Sequence, residues 1–257
     1  MHILKSLINK TKNIFKREFK ENIFFLHIPK CGGTSIKRAI ERNYPSGDRV
    51  AMLDPVASSN AAKLFDYPTL KFRENLLLYF MRINNMKYIS GHYCFSEIAF
   101  REFHDKFVFI TVLREPVSRW ISLYFYNKYK KSNHFKTQAD FAEYLQSELG
   151  HSVGHTYVKF LCGVDNSIDY TSRQAIERAK KNLDKFDIVG CLEYQEDFIK
   201  QFERRFGARL ALKRENQSPV AESFKSSVIT EEVEEKIRLI CEPDIEVYQY
   251  AIDKFVK

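Results

Sequence analysis

The chain has 257 residues, of which 44% are hydrophobic, enough for one large domain with a substantial core. Its 41 basic and 33 acidic residues give a net charge of +8, and residues 1–20 alone carry +5 of that. The remaining residues therefore have only a small excess of positive charge, and the chain has no long basic tail of the kind that binds nucleic acid. No run of 18 uncharged apolar residues and no signal peptide is present. The sequence therefore predicts neither a membrane span nor secretion.

The five cysteines are far apart in the sequence and form no CxxC pair, so they indicate neither a zinc site nor a disulfide framework. Buried, reduced thiols fit this pattern, and we expect a soluble cytoplasmic protein of the bacterial type.

Residues 1–21 form a basic amphipathic extension, and residues 22–257 are predicted to be a single domain. In the extension, apolar residues recur at helical spacing with lysines between them. One interpretation is a helix formed by residues 1–20 that contacts the anionic inner face of a membrane. The other is a helix packed on the domain, or a frayed terminus.

Along the chain, the first strand signal is the apolar run Ile23–Ile28, which stops at Pro29. A lysine, two glycines and two hydroxyl residues then lead into a helix from Ser35. Residues 44–87 contain three prolines and few strand signals, so loops and short helices that face an acceptor are expected there.

Further strands are predicted over 87–90, 107–113 and 186–191, each followed by a turn or a helix start. Helices are predicted over residues 96–103, 116–130, 172–183, 193–206, 230–241 and 244–255, with Pro243 between the last two and one or two more helices within 134–160. Strands that alternate with helices predict an α/β fold, a three-layer sandwich with a mainly parallel central sheet.

Ligands of such sheets bind at the carboxyl ends of the strands. Three polar stretches lie there: residues 30–35, Gly91-His92 and Arg114 with the helix that follows it. A glycine turn before a helix exposes backbone N–H groups at the positive end of the helix dipole, and Lys30 adds a full charge. This pattern indicates an anionic nucleotide as ligand.

Two familiar phosphate chemistries do not fit the spacing. A Walker A loop has its lysine after the glycines, whereas Lys30 precedes them. A kinase also needs an acidic magnesium ligand at the end of a neighbouring strand, where this chain has Arg114. A cysteine phosphatase built on Cys31 needs arginine at position 37, which is lysine. A metal-free site for a nucleotide with phosphates at two separate places fits best.

Two segments carry a family resemblance. The segment His27-Ile-Pro-Lys-Cys-Gly-Gly-Thr-Ser35 resembles the 5′-phosphosulfate loop of the carbohydrate sulfotransferases. The segment Leu113-Arg-Glu-Pro-Val-Ser-Arg-Trp-Ile-Ser122 resembles their 3′-phosphate motif, with arginine and serine eight residues apart. The group most similar is the heparan sulfate 2-O-sulfotransferase-like family, which includes bacterial members, and the similarity runs from about residue 22 to 255.

The resemblance implies the P-loop-kinase-like sulfotransferase fold. It also implies a metal-independent transfer of a sulfuryl group from 3′-phosphoadenosine 5′-phosphosulfate (PAPS) to a carbohydrate hydroxyl, with 3′-phosphoadenosine 5′-phosphate (PAP) as product. Such a transfer is expected in polysaccharide or glycolipid biosynthesis. Lys30 would stabilise the leaving oxygen. The implied donor-binding residues are Lys30, Cys31, Gly32, Gly33, Thr34 and Ser35 for the 5′ side, with Arg114 and Ser122 for the 3′-phosphate.

His92 is the predicted general base, because it lies in Ser90-Gly-His-Tyr93, which resembles the Gly-His element of the 2-O-sulfotransferase group. Some members have a second histidine two residues earlier, where this chain has Ser90, and that leaves the acceptor open.

Three alternatives remain at this point. The first is a kinase that uses ATP or GTP. The second is a sulfotransferase for a protein or small-alcohol acceptor. The third is a non-enzymatic polyanion binder acting through residues 1–20. The polar cluster Arg214, Asn216 and Ser218 is a weaker candidate, for a loop that folds over the nucleotide.

Overall fold

A parallel sheet of five strands forms the centre of the protein in the computed structural model, which describes residues 19–45, 47–165, 167–213, 220, 224 and 228–256. The strands are β1 (Asn22–Leu26), β2 (Arg49–Met52), β3 (Met86–Gly91), β4 (Phe107–Leu113) and β5 (Ile188–Cys191). Their order across the sheet is β2-β3-β1-β4-β5, and every pairing is parallel. The predicted α/β class with a parallel central sheet is confirmed.

The helices connect consecutive strands or follow the last one. They are α1 (Gly33–Glu41), α2 (Pro55–Leu64), α3 (Thr69–Arg82), α4 (Glu97–Phe103), α5 (Pro116–Tyr129), α6 (Phe141–Gln146), α7 (Glu148–Val153), α8 (Thr156–Cys162), α9 (Arg173–Leu183), α10 (Gln195–Phe206), α11 (Glu231–Ile240) and α12 (Glu242–Phe255). Among the described residues, no helix has both the length and the apolar character needed to cross a membrane.

Both faces of the sheet are buried, as expected for parallel strands covered by crossover helices. Phe24 and Leu26 of β1 pack in a cluster with side chains of α3, α4, α8, α9 and α12. Ile23 and Phe25, which point to the opposite face, pack with α1 and α10. The protein is thus a three-layer sandwich, as predicted.

A third apolar cluster lies beside the sheet and holds α5 in position. Trp120 and Tyr124 of α5 pack there with Tyr144 of α6, Val153 of α7 and Ile237 of α11. The indole N–H of Trp120 also donates to the carbonyl of Gly150 at 2.8 Å. These contacts set the direction in which α5 leaves the end of β4.

Some sequence-based boundaries were wrong. Residues 49–52 form strand β2, although only loops and short helices were expected between 44 and 87. The strand is four residues long, lies at the sheet edge and leaves Arg49 exposed, so it has no clear hydrophobic pattern. Residues 134–160 hold three helix starts instead of one or two. Pro243 lies in the first turn of α12, where its missing N–H costs nothing, instead of between two helices.

The amino-terminal extension lies mostly outside the described residues, which begin at Phe19, so its helix and its membrane contact stay predictions. Phe19 itself is buried and packs against Tyr44, Phe202 and Phe206 with ring-centre distances of 5.5, 5.4 and 5.1 Å. Phe19 is therefore part of the domain core. The domain boundary at residue 22 stays a prediction.

Candidate active site

The carboxyl ends of β1, β3 and β4 open into a cleft of about 1880 Å³. This is where a parallel sheet is expected to hold its ligand. Eight of the nine predicted site residues line the cleft: Lys30, Gly32, Gly33, Thr34, Ser35, His92, Arg114 and Ser122. The ninth, Cys31, is buried beneath the loop. The three polar stretches that the sequence places at separate strand ends thus face one space.

The loop between β1 and α1 depends on its two glycines. Gly32 has a φ of +70° and is the residue that precedes α1, with no side chain to cap the first turn of the helix. At Gly33, an added Cβ would lie 1.9 Å from Cδ2 of His27. The ring of His27 therefore packs directly on the backbone of the loop. The first turn of α1 has no side-chain cap and presents the positive end of the helix dipole to the cleft.

Cys31 contributes its backbone but not its thiol to this loop. Its side chain is buried, 3.4 Å from the hydroxyl oxygen of Tyr157, and points to the core. Burial raises the pKa of the thiol to about 11 although Arg119 and Arg114 act to lower it. A neutral, buried thiol is not a nucleophile, so the sulfur has no place in the chemistry of the cleft.

Arg114 connects the two segments that the resemblance assigns to phosphate binding. Its Nη1 atom donates to the carbonyl oxygen of Lys30 at 3.3 Å. On the following helix, the carboxylate of Glu115 accepts the N–H groups of Val117 and Ser118 at 3.0 and 2.7 Å. Because the first turn of α5 is already capped, an anion on this side of the cleft would be held by side chains, in contrast to the loop side.

The ammonium group of Lys30 lies over the ring of Tyr126, 3.9 Å from its centre. Tyr126 is four residues after Ser122, so it follows on the same face of α5 and lines the same cleft. The contact is a cation–π interaction that directs the Lys30 side chain across the cleft towards α5.

The imidazole of His92 has a defined tautomer. Its Nδ1 atom lies 2.6 Å from the carbonyl oxygen of His27. A carbonyl oxygen can only accept, so Nδ1 carries the hydrogen and Nε2 keeps a free lone pair. Burial, followed by the positive charges of Arg73 and Lys37, lowers the pKa of His92 to about 4, against the hydrogen bond to His27. At neutral pH the ring is therefore uncharged and can accept a proton.

The side chain of Arg73 holds the backbone of His92 in place. This buried guanidinium donates to the carbonyl oxygen of His92 at 3.3 Å, to that of Pro55 at 3.0 Å, and to the hydroxyls of Ser58 and Ser59. Four acceptors from α2 and the end of β3 converge on one side chain. Arg73 of the region 44–87 thus positions the candidate base, while the acceptor-facing role expected for this region stays a prediction.

The described lining of the cleft is strongly basic. Its one carboxylate is Glu234. Its eight cationic side chains are Lys30, Arg73, Arg114, Lys130, Lys131, Lys136, Lys159 and Lys213. Low-dielectric walls focus such a field, so the cleft attracts anionic ligands.

Sequence reasoning missed three of these residues. Tyr126 has a usable signal, because it is four positions after Ser122 on a predicted helix. Arg73 and Tyr157 have none, since Arg73 comes from α3 and Tyr157 contacts Cys31 and Arg114 from α8, far from either motif. Arg214, Asn216 and Ser218 lie outside the described residues.

The sequence matches the model of the sulfotransferase family over residues 14–251. Heparan sulfate 2-O-sulfotransferase 1 of Mus musculus is 23% identical over 254 residues, covering 91% of this chain and 70% of the relative. The same enzyme of Gallus gallus is 24% identical with equal coverage. The crystal structure of mouse sulfotransferase SULT7A1 complexed with PAP aligns with a TM-score of 0.42 and 16% identity over 76% of this chain, which spans 61% of that chain.

These matches confirm the resemblance to the heparan sulfate 2-O-sulfotransferase group and the prediction of a PAPS-dependent sulfotransferase. They decide between the two predicted enzyme classes against the kinase.

Proposed function

Since the chain belongs to the sulfotransferase family, we propose that it transfers a sulfuryl group from PAPS to a hydroxyl of a carbohydrate acceptor, without a metal ion and with His92 as general base. The observation that carries this proposal is the meeting of both phosphate motifs and a neutral histidine in one basic cleft. The names of the relatives support the carbohydrate acceptor, because they are enzymes of heparan sulfate.

The donor would lie between the two motifs. The backbone N–H groups of residues 31–35 and the hydroxyls of Thr34 and Ser35 suit the 5′-phosphate at the positive end of α1. The Arg114 guanidinium, a fork of donors, and the Ser122 hydroxyl suit the 3′-phosphate on the opposite side. The bond between Arg114 and the Lys30 carbonyl supports this assignment, because it ties the two binding positions to a common spacing.

The transfer would follow an in-line path. Nε2 of His92 takes the proton of the acceptor hydroxyl as its oxygen attacks sulfur. The bond between sulfur and the bridging phosphate oxygen breaks, and its electron pair remains on that oxygen. Lys30 stabilises the charge that develops there, which is the role of a preorganised cation. The proton thus ends on His92, the sulfuryl group on the acceptor oxygen and the electron pair on the phosphate oxygen, and the proposed step uses no metal ion.

Calorimetry of PAP binding, beside ADP and with and without Mg²⁺, tests the donor site. We expect metal-independent binding of PAP that is tighter than binding of ADP. A preference for ADP with Mg²⁺ would contradict the proposal.

Transfer of labelled sulfate from PAPS to a panel of acidic and neutral glycans, with tyrosine peptides and simple alcohols in parallel, then tests the acceptor class. Labelling of peptides alone would replace the carbohydrate by a protein acceptor.

A further inference from the structure

Tyr157 of α8 touches both phosphate motifs with one hydroxyl group. The oxygen accepts the backbone N–H of Arg114 at 2.9 Å and donates to the carbonyl oxygen of the same residue. It also lies 3.4 Å from Sγ of Cys31, in the loop that follows β1. Tyr157 is fully buried, far from either motif in sequence, and lines no part of the cleft.

The hydroxyl replaces missing strand pairing. The ladder between β4 and β5 ends at Leu113 opposite Cys191, and that between β1 and β4 ends at Thr111. Arg114 therefore lies beyond the sheet, where its N–H and C=O have no partner on any of the described strands. Backbone groups that are removed from water require a partner, and the phenol supplies one for each.

The ring of Tyr157 is itself held in place. The Asp244 carboxylate of α12 accepts the backbone N–H groups of Tyr157 and Val158 at 2.8 and 3.1 Å. The Arg119 guanidinium of α5 lies 3.4 Å from the same carboxylate and 5.2 Å above the phenol ring. The side chains of Arg119 and Asp244 are both fully buried. The hydroxyl therefore has a fixed position with respect to α5, α8 and α12.

The phenol of Tyr157 keeps its proton near neutral pH. Burial raises the pKa of Tyr157 well above its ordinary value. The same cause raises the pKa of the Cys31 thiol to about 11. The contact between the two motifs is thus made by neutral groups, and neither of them titrates near neutral pH.

We infer that Tyr157 is a positioning residue that sets the distance between the 5′ and 3′ phosphate positions, and so determines the preference for a nucleotide with two separated phosphate groups. This inference rests on the proposed function, because it assigns those positions to Lys30–Ser35 and to Arg114. Tyr157 touches no substrate. Its effect passes through the backbone of Arg114, whose guanidinium in turn donates to Lys30.

The test compares Tyr157→Phe with Tyr93→Phe. Tyr93 is also fully buried, belongs to the same apolar cluster, and its hydroxyl has no hydrogen-bond partner among the described residues. We expect Tyr157→Phe to weaken PAP binding about 10-fold or more, because a displaced Arg114 would lose one hydrogen bond to the charged 3′-phosphate, and to weaken ADP binding much less. The PAP-to-ADP ratio should fall accordingly, while Tyr93→Phe leaves it unchanged.

The ratio separates positioning from a general loss of stability, which would weaken both nucleotides together. An unchanged ratio in folded Tyr157→Phe would overturn the inference and leave the proposed function intact. Failure of the wild-type protein to bind PAP would overturn both.

A second measurement needs no variant. Hydrogen exchange of the Arg114 amide in the wild-type protein should be as slow as that of the amides within β4, because the amide donates to a buried hydroxyl. Exchange at the rate of a solvent-exposed loop amide would overturn the inference even where Tyr157→Phe does not fold.

Discussion

The Nδ1 nitrogen of His92 lies 2.6 Å from the carbonyl oxygen of His27, at the point where β3 and β1 end side by side. The N–H of His27 donates in turn to the carbonyl of Gly91 at 3.0 Å, so the backbone ladder continues to the histidines. The two rings lie 4.5 Å apart. The sheet itself thus orients the candidate base and leaves its Nε2 atom available.

Replacement of His92 by asparagine should lower kcat by about 10²–10⁴, the usual contribution of a general base, and leave PAP binding nearly unchanged. Because the pKa of His92 is about 4, kcat/KM of the wild-type enzyme should stay level from pH 7 to about 5 and fall only below that. The pH–rate profile checks this. An acid limb centred near pH 6.5 would show that the base is a different group.

The same histidine should make the fold sensitive to acid. The pKa of His92 is lower in the folded than in the unfolded chain, so protons bind preferentially to the unfolded state as pH falls from about 6.5 to 4. Its contribution to stability is complete above that window and is lost within it, with a slope of up to about 1.4 kcal/mol per pH unit. Urea unfolding of wild type and His92→Asn between pH 7 and 4 should show a shallower slope for the variant; parallel slopes would argue against a depressed pKa.

Lys30→Ala should lower kcat by about 10²–10³, the effect of removing one preorganised electrostatic group. Lys181→Ala on the exposed side of α9, outside the cleft, is the matched control and should keep full activity. Steady-state rates with PAPS, beside thermal unfolding of both variants, provide the comparison. Near-native turnover by Lys30→Ala would remove the lysine from the mechanism.

Arg114→Ala should weaken PAP binding by about 1.5–3 kcal/mol, the range for hydrogen bonds to a charged group. Ser122→Ala removes one hydroxyl from the same side of the cleft and should cost less, about 0.5–1.5 kcal/mol. Titration calorimetry of each variant with PAP and with ADP isolates the loss of contacts to the 3′-phosphate, because only PAP carries that group. Equal losses for both nucleotides would place Arg114 away from that phosphate.

Gly33→Ala should destabilise the protein by about 1–3 kcal/mol, although alanine ordinarily stabilises a helix relative to glycine. The reason is the 1.9 Å approach of the added Cβ to Cδ2 of His27. In a His27→Ala background the same change should be neutral or stabilising. Urea unfolding of the four proteins in this double-mutant cycle measures the coupling, and additive effects would mean that the ring does not pack on the loop.

The sequence alone determined the class of fold and located the two segments that we propose to bind phosphate, because each depends on residues close together in the chain. The run 107–113 is β4 as predicted, and Arg114 and Pro116 mark its end and the start of α5. The glycines after Lys30 form the predicted turn into a helix, which begins at Gly33, two residues before the predicted Ser35. Hydrophobic periodicity and turn chemistry are local properties, and they act before any tertiary contact exists.

The tertiary structure decided the supports of the site and the state of its groups. The bond from Arg73 to the backbone of His92, the contacts of Tyr157 with both motifs, and the buried Cys31 thiol join elements that are distant in sequence. Strand β2 forms at the sheet edge by pairing with β3, not by a pattern of its own. Likewise, the lowered pKa of His92 arises from burial and from neighbouring charges. These properties depend on packing between distant segments, which a single sequence does not encode locally.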